Sequence, residues 1–186
     1  MLSAVAVVSL YDTLGQESIE FILNQTQIRT LVCSADKIKN IRDLKSGGKI
    51  PATTHVIYFD DVNPEEIELA TSCGLTLVSF LDAVKEAKAY TGESANWEPV
   101  TSETLYTLSY TSGTTGLPKG VMLTHLNFVS NIAALDRYEG VDKYNETDRY
   151  ISYLPLAHVF ERFLLLTCMA FKIEIGFYQG DVLKLT

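Results

Sequence analysis

Along this chain the apolar residues switch repeatedly between short continuous runs and stripes spaced three and four apart, and no other feature constrains the fold as strongly. The runs Ala4–Ser9, Thr30–Cys33, His55–Phe59 and Leu75–Val78 have the length and branching of buried strands, and each is followed by a helical pattern. Thr13 and Gln16 stand at capping-box spacing before Ile19, Ile22 and Leu23. Ser34 offers an N-cap ahead of the stripe Ile38, Ile41 and Leu44. Asn63-Pro64-Glu65-Glu66 joins a cap, a first-turn proline and acids suited to the helix dipole, and Gly74 ends that helix. A last stripe, Leu81, Val84 and Ala87, leads to the polar connection Thr91–Thr101. Beyond it, Leu105–Tyr110 is a strand and Val121–Leu123 a short extended run. Thr124 then caps a helix bearing Leu126, Val129, Ile132 and Ala133, and strands at Arg149–Tyr153 and Ile173–Tyr178 flank a helix from Ala157. The implied class is α/β, a largely parallel sheet flanked by helices, with ligands beyond the carboxyl ends of strands.

Charge and cysteine usage narrow the function. With 23 acidic against 15 basic residues the formal charge is -8, which offers no basic face for nucleic acid. The basic residues Lys37, Lys39, Arg42, Lys45 and Lys49 alternate with acids and apolar positions and read as a solvated helix face. Cys33, Cys73 and Cys168 are far apart and form no Cys-x-x-Cys pair, so neither a disulfide framework nor a metal site is indicated, and a reducing, cytoplasmic setting fits. The apolar stretch from Phe163 to Phe171 falls short of the roughly 20 residues a membrane span requires.

Chemistry concentrates in Tyr110-Thr111-Ser112-Gly113-Thr114-Thr115-Gly116-Leu117-Pro118-Lys119-Gly120, directly after an apolar strand. Glycine lets backbone N–H groups approach a polyanion closely, hydroxyls donate further hydrogen bonds, and Lys119 adds a full positive charge. A Walker A loop is excluded: Gly113 and Gly116 are too close together, and Lys119 is followed by Gly120 and extended structure. A plain Gly/Ser/Thr surface turn seldom combines this length with a buried strand in front and a Pro-Lys-Gly ending.

The stretch 110–125, YTSGTTGLPKGVMLTH, resembles the AMP-binding signature of the adenylate-forming superfamily. Leu10-Tyr11-Asp12-Thr13-Leu14-Gly15, Tyr153-Leu154-Pro155-Leu156-Ala157-His158-Val159-Phe160-Glu161-Arg162 and Gly176-Phe177-Tyr178-Gln179-Gly180-Asp181 are similar to its long-chain acyl-CoA synthetase branch. The resemblance implies that residues 1–186 form part of the N-terminal AMP-binding domain, an internal piece lacking the mobile C-terminal domain and its lysine. It also implies the reaction: ATP, with Mg2+, activates a long-chain fatty acid as acyl-adenylate, and coenzyme A then displaces AMP.

On that resemblance Thr111, Ser112, Gly113, Thr114, Thr115, Gly116 and Lys119 hold the β- and γ-phosphates, and Tyr110 is the buried strand end that positions them. His158 is implied to stand between the acyl pocket and the thiol tunnel, although a lone histidine near an apolar helix is ordinarily a packing residue. Glu161 and Arg162, on the same helical side, are assigned structural roles, and His125 capping or packing. Complete members of the family are often found on the cytosolic face of the endoplasmic reticulum or other membranes. No protein partner is readable. Readings from other classes are a non-catalytic nucleotide- or acyl-binding remnant with an interaction role, or a different adenylate-forming ligase.

Overall fold

Alternating strand and helix patterns become alternating strands and helices in the computed structural model, which describes residues 5–91, 99–111, 116–138, 144–181 and 183. The chain divides into two compact units: Leu14–Ser94, and Met1–Thr13 together with Ala95–Thr186.

In the Leu14–Ser94 unit, β2 (Thr30–Ser34), β3 (His55–Phe59) and β4 (Thr76–Ser79) form a parallel sheet in the order β2-β3-β4. Helices α2 (Ile38–Ser46) and α3 (Pro64–Ser72) connect them, with α1 (Gln16–Thr26) before β2 and α4 (Phe80–Ala89) after β4. The core is aliphatic: Ile22 and Leu23 of α1, the full stripe Ile38, Ile41 and Leu44 of α2, and Val56 of β3 are buried with Ile50 and Leu75. Asn63 caps α3 through its side chain, which accepts from the Glu65 amide at 3.0 Å, with Pro64 in the first turn. Gly74 follows at φ +84, a conformation that a side chain would strain.

Three local expectations fail in this unit. Gly15, not Thr13, precedes α1 as N-cap, and no side-chain cap forms there, because the helix starts too late for Thr13 to reach its free amides. Ser34 bonds Asp36 and opens a 3-10 turn over Ala35–Lys37, so it caps no α-helical amide, and α2 begins only at Ile38. In α4, Leu81 and Ala87 are exposed and Val84 half-buried, and Phe80 at its start, itself exposed, lies with its ring centroid 4.9 Å from that of Phe59.

The other unit holds two small sheets. In the first, β1 (Val7–Ser9) pairs in parallel with β5 (Leu105–Thr111), which pairs antiparallel with β6 (Lys119–Thr124). In the second, β7 (Arg149–Ser152) and β8 (Glu174–Phe177) are parallel and joined by α6 (Val159–Phe171). Helix α5 (His125–Arg137) follows β6 directly, with a capping box in which Thr124 and Asn127 satisfy each other's backbone amides. Its buried side chain is Phe128, while Leu126, Val129 and Ala133 are exposed and Ile132 is half-buried. Phe128 wins the inner position because its ring meets Tyr106 of β5 edge-on at 4.8 Å. The parallel architecture holds for β1-β5, β2-β3-β4 and β7-β8, but the described strands lie in three sheets instead of one, and the glycine-rich loop joins an antiparallel pair.

Candidate active site

Strand β5 is buried at Thr107, Ser109 and Tyr110, and β6 pairs antiparallel with it, so the two strands flank the glycine-rich segment along the chain. Ser112, Gly113, Thr114 and Thr115 lie outside the described residues. The base that presents them is well defined. Thr111 and Lys119 are direct cross-strand partners, both exposed, and therefore stand on either side of the loop's mouth. Gly116 adopts φ +99 with open space where a side chain would be, while Pro118 is buried and holds the returning strand.

Behind the mouth, Tyr110 is 5% exposed and lies opposite Gly120. The phenol's burial raises its pKa, so it stays neutral and serves as a packed wall. Burial at the strand end is the place the sequence suggested for Tyr110. His125 sits at the first position of α5 with its ring 5.0 Å from Tyr106, a packing role, while the cap itself belongs to Thr124.

His158 is exposed and is the N-cap of α6; its Nδ1 accepts from the Phe160 amide at 3.2 Å. That bond leaves the proton of the neutral ring on Nε2, the atom free to face a ligand. A cavity of about 210 Å³ opens on this turn of α6. Val159, Phe160 and Phe163 line it from α6, and Leu123, Asn127, Phe128 and Asn131 from β6 and α5. Its wall is largely apolar, suited to hydrocarbon, with the two amides as polar anchors.

The next two residues, read from sequence as structural, are buried and bonded to neighbouring strands. Glu161 is fully buried, and its carboxylate accepts from the Tyr150 and Ser152 hydroxyls of β7 at 2.5 Å each. Burial, then the hydrogen bond to this carboxylate, holds the Tyr150 phenol well above its usual pKa. Arg162 is 7% exposed; its Nη2 donates to Ser9 Oγ in β1 and its Cζ lies 5.9 Å from the Tyr106 ring centroid. Two adjacent charges on a first helical turn are an ordinary solvated pattern in sequence, and only the tertiary partners reveal the burial. Among the described residues no group of three His, Cys, Asp or Glu side chains could hold a metal ion, and no helix is long and apolar enough to cross a membrane.

An antiparallel strand pair flanking a glycine- and hydroxyl-rich segment, followed by helices that line an apolar cavity, defines a class. The chain belongs to the AMP-binding enzyme family, whose model matches residues 1–186. It is 39% identical over 176 residues to fatty acyl-CoA synthetase B of Dictyostelium discoideum, covering 95% of this chain and 25% of that protein. To the mouse long-chain-fatty-acid–CoA ligase 5 it is 36% identical over 181 residues, covering 96% of this chain and 26% of the relative. The chain thus spans about a quarter of the length of these curated relatives. Among solved structures, the adenylation domain of carboxylic acid reductase from Segniliparus rugosus, bound to AMP and a co-purified carboxylic acid, superposes with a TM-score of 0.70 at 18% identity, over 92% of this chain and 28% of that one. ATP-bound MatB from Rhodopseudomonas palustris gives 0.63 at 20%, over 97% and 31%. These neighbours establish the fold.

Proposed function

We propose that this chain supplies the ATP-phosphate loop and part of the acyl site of a long-chain fatty acid–CoA ligase. The observation that carries the reading is the hairpin mouth, with Thr111 facing Lys119 across the β5–β6 base and Gly116 at positive φ between them. Such a mouth suits a polyphosphate: it offers hydroxyl, amide and ammonium donors on a rigid base, with no carboxylate among residues 110–120.

In the first half-reaction a fatty carboxylate oxygen bonds to the α-phosphorus of ATP while the bond to the β-phosphate oxygen breaks. Negative charge grows on the departing pyrophosphate, where Thr111, Ser112, Gly113, Thr114, Thr115, Gly116 and Lys119 stabilise it. Mg2+ bound with the nucleotide would add further charge neutralisation. In the second half-reaction the thiol sulfur of coenzyme A attacks the acyl carbonyl and AMP leaves with the electron pair. We assign admission of the thiol to His158, the N-cap of α6, whose next residue, Val159, lines the cavity that would take the start of the acyl chain.

Incubating a full-length enzyme bearing this segment with ATP, Mg2+ and palmitate, without coenzyme A, tests the reading. Acyl-adenylate should accumulate and be detected by mass spectrometry, then disappear as thioester when coenzyme A is added. Hydrolysis of ATP with no adenylate would overturn it.

A further inference from the structure

We propose that Arg162 is a positioning residue for the phosphate loop, a buried cation that locks the helix headed by His158 to the strand from which the loop springs. The inference rests on the ATP-binding role proposed above. Arg162 reaches Ser9 of β1, and Ser9 is the register partner of Ser109 in β5, just short of Thr111. The same guanidinium lies over the face of Tyr106, within cation–π range at 5.9 Å. Tyr106 in turn touches His125 and Phe128 of α5, the helix that begins where β6 ends. One side chain therefore touches β1 and β5 directly and α5 through one ring; β5 leads into the loop, and α5 follows β6, the strand that leads out of it.

The helix that carries it is fixed from the other side as well. Glu161 anchors the first turn of α6 to β7 through Tyr150 and Ser152, and the Arg162 amide bonds the His158 carbonyl at 3.3 Å. A shift of α6 at the His158 end is transmitted through Arg162 to the base of the phosphate loop.

Stability does not account for this choice of residue. The guanidinium is buried against a hydroxyl and a ring, and its Nε has no hydrogen-bond partner among the described residues. A buried cation with an unfilled donor is a poor stabiliser, and an apolar side chain of similar length commonly does as well or better. What a methionine cannot do is hold β1 and β5 to one planar, directional group.

The test uses the full-length enzyme with Arg162→Met, Arg162→Lys and Ser9→Ala, measuring palmitate-dependent ATP–pyrophosphate exchange, the KM for ATP, kcat and thermal unfolding. For Arg162→Met, kcat for exchange should fall about tenfold or more while the melting temperature moves by less than about 3 °C. Arg162→Lys, which keeps charge and reach, should recover part of the loss, and Ser9→Ala should lose a smaller amount without removing the cation. Unchanged exchange in Arg162→Met, or a loss restored fully by assaying well below a lowered melting temperature, overturns the inference. Should Arg162→Met not fold, unchanged exchange in both Arg162→Lys and Ser9→Ala overturns it equally. Lys119→Ala is the control that separates the claims: if it abolishes exchange while the Arg162 variants do not, the ATP-binding reading stands and this one falls. Absence of exchange in the wild type removes both.

Discussion

The ring of Tyr110 fills the space in which a Gly120 side chain would sit: a Cβ built there would stand 2.9 Å from Cζ and 3.2 Å from Cε1 and Cε2. Because Tyr110 is buried, its ring cannot swing away to make room. Gly120→Ala should therefore lower stability by about 1–3 kcal/mol through overpacking. The penalty should vanish in a Tyr110→Ala background, where the opposing ring is gone. Urea unfolding of the two single variants and the double variant measures the coupling, and an equal penalty in both backgrounds contradicts it.

The Tyr150–Glu161 bond gives stability a pH dependence with a definite sign. In the fold the phenol stays protonated to higher pH than its ordinary value of 10.0, through burial first and the Glu161 carboxylate second. The stabilisation is fully present below that value, and it is lost as pH climbs above it toward the raised folded pKa. Tyr150→Phe should flatten that alkaline decline and, at neutral pH, cost about 1–3 kcal/mol by taking a donor from a buried carboxylate. Unfolding curves at neutral pH and at about pH 10.5 would show both effects. A decline of equal steepness in wild type and variant would contradict the assignment.

His158 is both an N-cap and the residue placed beside the apolar cavity, and substitutions can separate those roles. Asparagine caps helices well, so His158→Asn should keep the cap, whereas His158→Ala should lose about 1 kcal/mol of stability. If the imidazole admits the thiol, both variants slow the conversion of adenylate to thioester and leave adenylate formation largely intact. Single-turnover rates for each half-reaction, measured with thermal unfolding, decide this. A deficit confined to His158→Ala and equal in both steps leaves the cap as its whole role.

The strand–helix alternation was legible because each buried stripe repeats its own period, as Ile38, Ile41 and Leu44 do. The glycine-rich segment stood out as a motif because its glycines and hydroxyls are contiguous. Local cues failed where a tertiary contact decided the outcome, as Phe128 against Tyr106 does in α5. Glu161 and Arg162 were illegible as buried charges for a different reason. Their partners come from other strands, and Ser9 is 153 positions away from Arg162. No local window contains that information. Nor could the sequence show that the loop closes an antiparallel pair, since the direction of β6 follows from its register on β5.

Fatty-acid-dependent ATP–pyrophosphate exchange by a full-length enzyme bearing this segment, wild type against Lys119→Ala, tests the central claim most directly. Wild type should exchange pyrophosphate into ATP only when a long-chain fatty acid is present. Lys119→Ala should reduce that rate about 10²–10³-fold, the scale of removing one donor aimed at developing charge, with little change in unfolding because Lys119 is exposed. Exchange that is independent of fatty acid, or untouched by the loss of Lys119, would contradict the account.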